Sequence, residues 1–184
     1  MGPAFRHGPT RITAMRHSPQ SAFTLIELLL VVVILGILAA VAIPQFSDSS
    51  GEAKASSLQT NLAVLRNAIE YYKANHKGTY PGYPSGGGTP TAALFTNQMT
   101  LASKDDGSTA AVGTAGFGFG PYIRESIPAN PASSTNLNTV KVLADADTWP
   151  AADDSTGWIY QPKTGKIRAN STGAAPSGKN YADF

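Results

Sequence analysis

The sequence predicts an α+β fold: a long N-terminal helix whose second half packs on a small antiparallel β-sheet with long loops. Three observations support this. An apolar run follows residue 22, an amphipathic helical stripe follows that run, and short strand-like segments between Gly- and Pro-rich stretches fill the rest. We divide the 184 residues into a leader over 1–22, a transmembrane helix over 23–43, an amphipathic continuation over 44–76 and a globular β/loop region over 77–184.

The leader over residues 1–22 is polar and basic. It holds Arg6, Arg11 and Arg16 and no acidic residue, so the 14 basic residues of the whole chain fall to 11 beyond it, against 12 acidic ones. A basic flank before an apolar segment keeps the N-terminus in the cytoplasm and the C-terminus across the membrane. Met15 is an alternative translation start that would leave a short leader. No dense cationic cluster follows, so nucleic-acid binding is not indicated.

The apolar run Phe23–Ile43 is long enough to span a membrane. Its 21 residues correspond to about 31 Å of helix, close to the thickness of the hydrocarbon core. An ordinary secretory signal peptide is the alternative, because residues 38–42 resemble a small-residue cleavage site. Such a signal would have a shorter apolar segment and would not be followed by a continuing helical pattern.

Glu27 interrupts the apolar run and is the first candidate functional residue. A charged side chain in hydrocarbon costs about 2.5–3.5 kcal/mol on insertion scales, so it is retained where it has a partner or a role. A cut between Ala22 and Phe23 would create an amine able to neutralise this carboxylate, within one helix or between staggered subunits. The alternative is a carboxylate that snorkels to the interface near the start of the helix.

The second part of the helix has an apolar stripe between Glu52 and about Asn75. Its members are spaced four, three, four and three residues apart, which places them on one helical face; they are Leu58, Leu62, Leu65, Ile69 and Tyr72. Pro44 lacks a backbone donor and clashes with the preceding turn, so we expect a bend or local melting there.

Beyond Gly78 the chain reads as loops and short strands. We predict a short helix over 92–101 and strands over 139–144, 157–161 and 166–169, the last two joined by a hairpin connection at residues 162–165. Trp158 and Tyr160 would share one face of their strand and cover the long helix. The polar tail from Asn170 is predicted to be irregular.

The segment Phe23-Thr24-Leu25-Ile26-Glu27-Leu28 resembles the processing site of type IV prepilins and of the pseudopilins of type II secretion. Gly36 and Pro44 extend the resemblance. The resemblance implies a pilin-like fold, cleavage between Ala22 and Phe23, N-methylation of Phe23, and assembly roles for Glu27, Gly36 and Pro44. Ala22 departs from the family, which usually has Gly before the cut.

The resemblance also implies partners and a location. It predicts a homo-oligomer in a helical filament, in contact with other pilins or pseudopilins. A prepilin peptidase would process the chain, and a membrane platform protein and a cytoplasmic ATPase would drive assembly. The precursor would cross the bacterial inner membrane once, with its C-terminal domain in the periplasm, before it enters a periplasmic or cell-surface filament.

Within this family we favour a type II secretion pseudopilin. The chain has no cysteine, whereas many type IV pilins close a C-terminal loop with a disulfide. Residues 68–81 and 122–131 are also similar to major pseudopilins. The alternatives are a type IV pilus subunit serving adhesion, twitching or DNA uptake, and a membrane-anchored binding domain that does not polymerise.

The C-terminal acids suggest one cofactor. Carboxylates on a flexible loop suit calcium, and the first candidate ligands are Asp145 and Asp147, with Asp153 and Asp154 nearby. The spacing is not that of an EF-hand, and a solvated acidic turn is the alternative.

No catalytic arrangement is present in the sequence, so we expect a structural protein rather than an enzyme. The chain has three histidines, of which two lie in the leader, and no serine lies in a G-x-S-x-G setting. Residues 116–120 lack the third glycine of a dinucleotide-binding loop. Residues 170–172 match the acceptor pattern for N-glycosylation, which occurs often by chance.

Overall fold

The computed structural model describes Gly2, residues 23–135 and residues 137–184, with the backbone alone at 41–48. The alternative start Met15, the cleavage-site residue Ala22 and the rest of the leader beyond Gly2 lie outside the described residues, and so does Asn136. The chain divides into two compact units, Met1–Ile43 and Pro44–Phe184. We describe each unit by itself.

A single helix, α1 (Leu25–Asn75), is the main element. It is assigned as α-helix without interruption at residue 44, so the local melting expected at Pro44 is wrong, while the bend stays a prediction. Within the described part of the chain, no helix is both long enough and apolar enough to cross a membrane. The membrane span over residues 23–43 stays a prediction.

The core of the second unit forms along the predicted stripe of α1. The five stripe residues are at most 2% exposed, which confirms the face derived from their spacing. They pack with Phe95 and Met99 and with the predicted covering pair Trp158 and Tyr160. Trp158 also donates its Nε1–H to the carbonyl of Pro128 at 2.8 Å, so its polar atom is satisfied inside the core.

The short helix α2 (Ala92–Thr100) confirms the prediction over 92–101. Thr91 caps it, because its hydroxyl accepts the N–H of Leu94 at 3.2 Å. Two strands that the sequence did not predict follow at once: β1 (Ala102–Ser103) and β2 (Thr109–Ala110) pair antiparallel. With two residues each, they are too short to show a periodic pattern.

A second sheet contains three strands, β3 (Val140–Val142), β4 (Trp158–Gln161) and β5 (Lys166–Ala169), in the order β3-β4-β5. The hairpin between β4 and β5 is antiparallel as predicted. The pairing of β3 with β4 is parallel, so the expectation of a purely antiparallel sheet is wrong. The connection 143–157 is long enough to return the chain to the end at which β3 began, as a parallel pair requires.

The tail from Asn170 has little regular structure, as predicted, but part of it packs on the core. Ala174 and Asn180 form an antiparallel bridge, and a 3-10 helix, Tyr181–Asp183, follows. Tyr181 is buried in the core cluster. Tyr181 anchors the tail on the core. The polar residues around it make this anchor difficult to recognise in the sequence.

Candidate processing and assembly site

The predicted processing site lies at the start of α1. Phe23, the expected first residue after cleavage, is 75% exposed, and Thr24 stands directly before the helix. Exposure of this backbone is compatible with access by a peptidase, although Ala22 on the other side of the bond lies outside the described residues. Cleavage and methylation at Phe23 stay predictions.

Thr24 and Glu27 form a reciprocal cap on α1. The N–H of Glu27 donates to Thr24 Oγ1 at 3.3 Å, and the N–H of Thr24 donates to Glu27 Oε2 at 3.4 Å. The Thr24 hydroxyl also donates to Oε2 at 3.4 Å. This is a capping box, in which two backbone donors at a helix start are satisfied by each other's side chains.

The capping box changes the interpretation of Glu27. Its carboxylate caps the helix of its own chain through Oε2, and it lies where the helix dipole favours a negative charge. Oε1 accepts neither of the hydrogen bonds made to Oε2, so it can accept one from another donor. Sequence reasoning selected Glu27 but missed Thr24, although Thr-x-x-Glu before an apolar run is itself a recognisable capping signal.

The helix that follows presents apolar side chains to the surroundings. From Phe23 to Leu38 every large apolar side chain is 48–88% exposed. Gly36 lies within this stretch, and a Cβ added there would meet no atom within 4 Å. Pro44 lies where the backbone alone is described, so its assembly role, like that of Gly36, stays a prediction.

The predicted calcium ligands are exposed, and each already accepts a hydrogen bond from its own chain. Asp145 accepts a hydrogen bond from the Tyr83 hydroxyl, and Asp147 accepts the N–H of Ala144 at 2.8 Å. Burial of Tyr83 and, to a smaller extent, its hydrogen bond to Asp145 raise the pKa of Tyr83 to about 12. Among the described residues, no group of three or more Asp, Glu or His side chains could hold a metal. Calcium ligation by Asp145 and Asp147 stays a prediction.

Asn170 of the possible glycosylation pattern is buried and serves the fold. Its amide donates to Asp153 Oδ1 at 2.6 Å and to Thr156 Oγ1 at 3.0 Å, and its Oδ1 accepts the N–H of Asp153 at 2.9 Å. These bonds join the 143–157 connection to the end of β5. A side chain with every polar atom engaged and no exposure is a poor glycan acceptor.

Comparison with known proteins agrees with this geometry. The family model of the prokaryotic N-terminal methylation motif matches residues 17–43. A fimbrial protein of Neisseria meningitidis is 39% identical over 74 residues, which is 40% of this chain and 43% of that protein. The type II secretion system core protein G of Pseudomonas aeruginosa is 39% identical over 72 residues, or 39% of this chain and 50% of that protein.

A longer match covers most of the chain. A fimbrial protein of Pseudomonas aeruginosa is 27% identical over 139 residues, which is 71% of this chain and 90% of that protein. The first two relatives are matched over only about half of their length or less. No solved structure matches the chain. The methylation motif and the names of these relatives support the resemblance to type IV pilins and type II secretion pseudopilins that the sequence predicts.

Proposed function

We propose that the chain is a structural subunit of a helical pilin-type filament, assembled from the inner membrane after cleavage between Ala22 and Phe23. One observation carries this proposal: a capped helix start bearing Glu27 leads directly into apolar side chains that are all exposed from Phe23 to Leu38. Water is a poor environment for such a surface, since exposed apolar area costs about 25 cal/mol per Å².

Two environments can cover that surface. Lipid covers it in the precursor, and the same segments of neighbouring subunits cover it in a filament core. Transfer from one to the other exchanges one apolar environment for another, so the hydrophobic effect retains a subunit in the filament but does not lift it out of the membrane. We therefore assign the lifting to an ATPase acting through a platform protein, as the family resemblance implies.

Glu27 is proposed to set the register between neighbours. Cleavage gives Phe23 a cationic amine, and N-methylation keeps that charge. An amine of a second subunit that approaches Oε1 would pair with a carboxylate whose other oxygen is already held by Thr24. In a low-dielectric core an unpaired charge is costly, so the pair favours the subunit position that completes it. Gly36 and Pro44 would let the helix adjust during packing.

A type II secretion pseudopilus is the filament we favour. The absence of cysteine and the similarity to core protein G over 39% of this chain support it. A type IV pilus is the second candidate, and the match to a fimbrial protein over 90% of that protein's length favours it. Deletion of the gene in its source organism separates the two, because a pseudopilin is required for secretion and a pilus subunit for piliation.

The first experiment is N-terminal sequencing and intact-mass measurement of the protein from membranes and from sheared surface material. A methylated Phe23 start in sheared filaments is the expected result. A start at Met1 or Met15, with the protein confined to membranes, would support a permanently anchored binding domain instead. A start just beyond Ala42 would identify an ordinary signal peptide and contradict the proposal.

Glu27→Gln tests the register step within the same material. It keeps the size of the side chain and can still cap the helix, but it removes the charge that the amine would pair with. We expect processing to continue and filament yield to fall. Glu52→Gln is the matched control, because Glu52 is an exposed carboxylate of the same helix that lies outside the apolar segment.

A further inference from the structure

A basic groove lies beside the β4–β5 hairpin in the second unit. It is a cavity of about 670 Å³ whose wall contains three cations, one carboxylate and an indole ring; these are Arg66, Lys166, Arg168, Glu70 and Trp149. We define these five residues as the basic groove. Its excess of positive charge indicates an acidic occupant.

The two guanidinium groups of the basic groove are fixed in place. Arg66 Nη2 donates to the carbonyl of Phe184 at 3.0 Å and to that of Ile167 at 3.4 Å. Arg168 stacks over the Trp149 ring, 4.8 Å from its centroid, and donates to the carbonyl of Pro150. A guanidinium that is already held loses little conformational freedom when it binds a carboxylate.

Donors remain available on Arg66. Both hydrogen bonds of Arg66 use Nη2, which leaves Nη1 and Nε without an acceptor among the described residues. The Nε–H of Arg168 is buried and finds no acceptor within the described part of the chain. Because that nitrogen has no accessible surface, it cannot reach a second chain, and the donors open to a partner are those of Arg66.

The matching acids lie elsewhere on the same unit. Asp105, Asp106 and Asp145 line a cleft of about 520 Å³ beside the glycines at 86–88, together with the single cation Lys77, which pairs with Asp105 at 2.6 Å and leaves the cleft with a net negative charge. We call these three aspartates the acidic edge. Tyr72 of α1 and His76 directly after the helix line this cleft, whereas Arg66 and Glu70 line the basic groove. At about 100° per residue, Tyr72 falls on a different side of the helix from Arg66 and Glu70.

We propose that the basic groove binds the acidic edge of a second copy of this chain. A contact between two different patches is heterologous, so it leaves one groove and one edge open at the ends and can propagate along a helical assembly. The inference rests on the proposed filament function and deepens it, because it names the charged contact between the globular regions of neighbouring subunits.

The absence of cysteine in the chain allows a direct test by thiol crosslinking of filaments. Lys166 and Asp105 are both exposed, one in the groove and one on the edge. Chains with Lys166→Cys and Asp105→Cys together, co-expressed with the parent chain in a host with pilin assembly machinery, would be sheared off and treated with a flexible bismaleimide. The matched control combines Asp105→Cys with Lys54→Cys, since Lys54 is an exposed cation outside the groove.

A ladder of dimers, trimers and higher species from the 105/166 pair, and not from the 54/105 pair, is the expected result. Filaments that contain the cysteine chains but give no ladder, or the same ladder with both pairs, would overturn the proposal and leave the filament function standing. Failure of the parent chain itself to form filaments would instead contradict the proposed function.

Charge reversal supplies a second readout that does not depend on crosslinker reach. Lys166→Glu and Asp105→Lys are each expected to lower the yield of sheared filament, and the double variant is expected to regain part of it. Raising the salt concentration should lower the filament yield of the parent chain, because exposed ion pairs are screened. Equal yields for all three variants, or no recovery in the double variant, would show that the acidic edge of a second copy is not the occupant.

Discussion

The two halves of α1 contain similar apolar side chains but expose them very differently. From Phe23 to Leu38 the large apolar side chains are 48–88% exposed, whereas those at positions 58, 62, 65, 69 and 72 are at most 2% exposed. The later half lies against α2, the β3–β5 sheet and the tail, which the same chain supplies. Among the described residues nothing covers the earlier half in this way, and in the proposed filament lipid or other subunits would bury it.

This comparison predicts that equal truncations have unequal effects on the stability of the subunit. Leu65→Ala removes a fully buried side chain and should lower the free energy of unfolding by about 2–5 kcal/mol. Leu30→Ala, at an exposed position, should change it by less than about 0.5 kcal/mol. Chemical denaturation of the detergent-solubilised chain measures both.

In filament stability we expect the opposite order, with the larger effect for Leu30→Ala and the smaller one for Leu65→Ala. Leu30→Ala removes apolar area from the proposed filament core and should reduce the resistance of filaments to dissociation by detergent. A large loss of subunit stability in Leu30→Ala would mean that the first half of α1 is covered within the single chain, and would break the distinction between the halves.

The helix start provides the next prediction. Thr24→Ala removes one side of the capping box and should destabilise the first turn of α1 by about 1 kcal/mol. Thr24→Ser keeps the hydroxyl and is the matched control. Amide hydrogen exchange at residues 25–28 reports the change, which should be confined to those residues; faster exchange in the core around Leu65 would contradict a local role.

His76, directly after α1, should give the second unit a pH-dependent stability. His76 is buried; its ring stacks on that of Tyr72, Nδ1 donates to the Tyr72 carbonyl at 2.7 Å, and Nε2 accepts from Ser103 Oγ at 3.1 Å. Burial, opposed by that carbonyl and by the carboxylates of Asp105 and Asp106, holds the pKa of His76 below its ordinary value.

The sign follows from proton uptake. Below about pH 6.5 the unfolded histidine binds a proton and the folded one does not, so the free energy of unfolding falls as pH drops from 6.5 through the folded pKa. Denaturation midpoints measured between pH 7 and pH 5.5 should show this decline, and His76→Gln should flatten it. An unchanged slope in the variant would assign the decline to other groups.

These elements show which features a sequence can reveal. The buried stripe followed from spacing alone, and the β4–β5 hairpin from the turn residues at 162–165, because both are local patterns. The parallel pairing of Val140 with Trp158 depends on the path of the 143–157 connection, which no local periodicity encodes. Residues 170–172 match the acceptor pattern for N-glycosylation. The hydrogen-bonded position of Asn170 could not be predicted, because its partners Asp153 and Thr156 are distant along the chain.

The candidate functional residues also fall into two groups, those that a local sequence pattern reveals and those that only the fold brings together. Glu27 was conspicuous because a charge in an apolar run is costly, and Thr24 could have been found from the capping pattern. The basic groove could not, since Arg66, Trp149 and Arg168 come from three separate segments that only the fold brings together. Sequence reasoning thus finds a site carried by one continuous segment and misses one that is assembled from several.

Two glycines of α1 give the smallest expected effect. Gly36→Ala places its Cβ in open space, so it should stabilise the helix by up to about 1 kcal/mol through helix propensity. At Gly51 the same Cβ would lie 2.6 Å from Pro176 Cγ and 2.9 Å from Cδ, so the gain there is offset by displacement of the tail. Circular dichroism on heating compares the two variants. If Gly36→Ala gains helical stability yet yields fewer filaments, the glycine serves assembly rather than folding; unchanged filament yield would assign it the ordinary role of a small residue in an apolar helix.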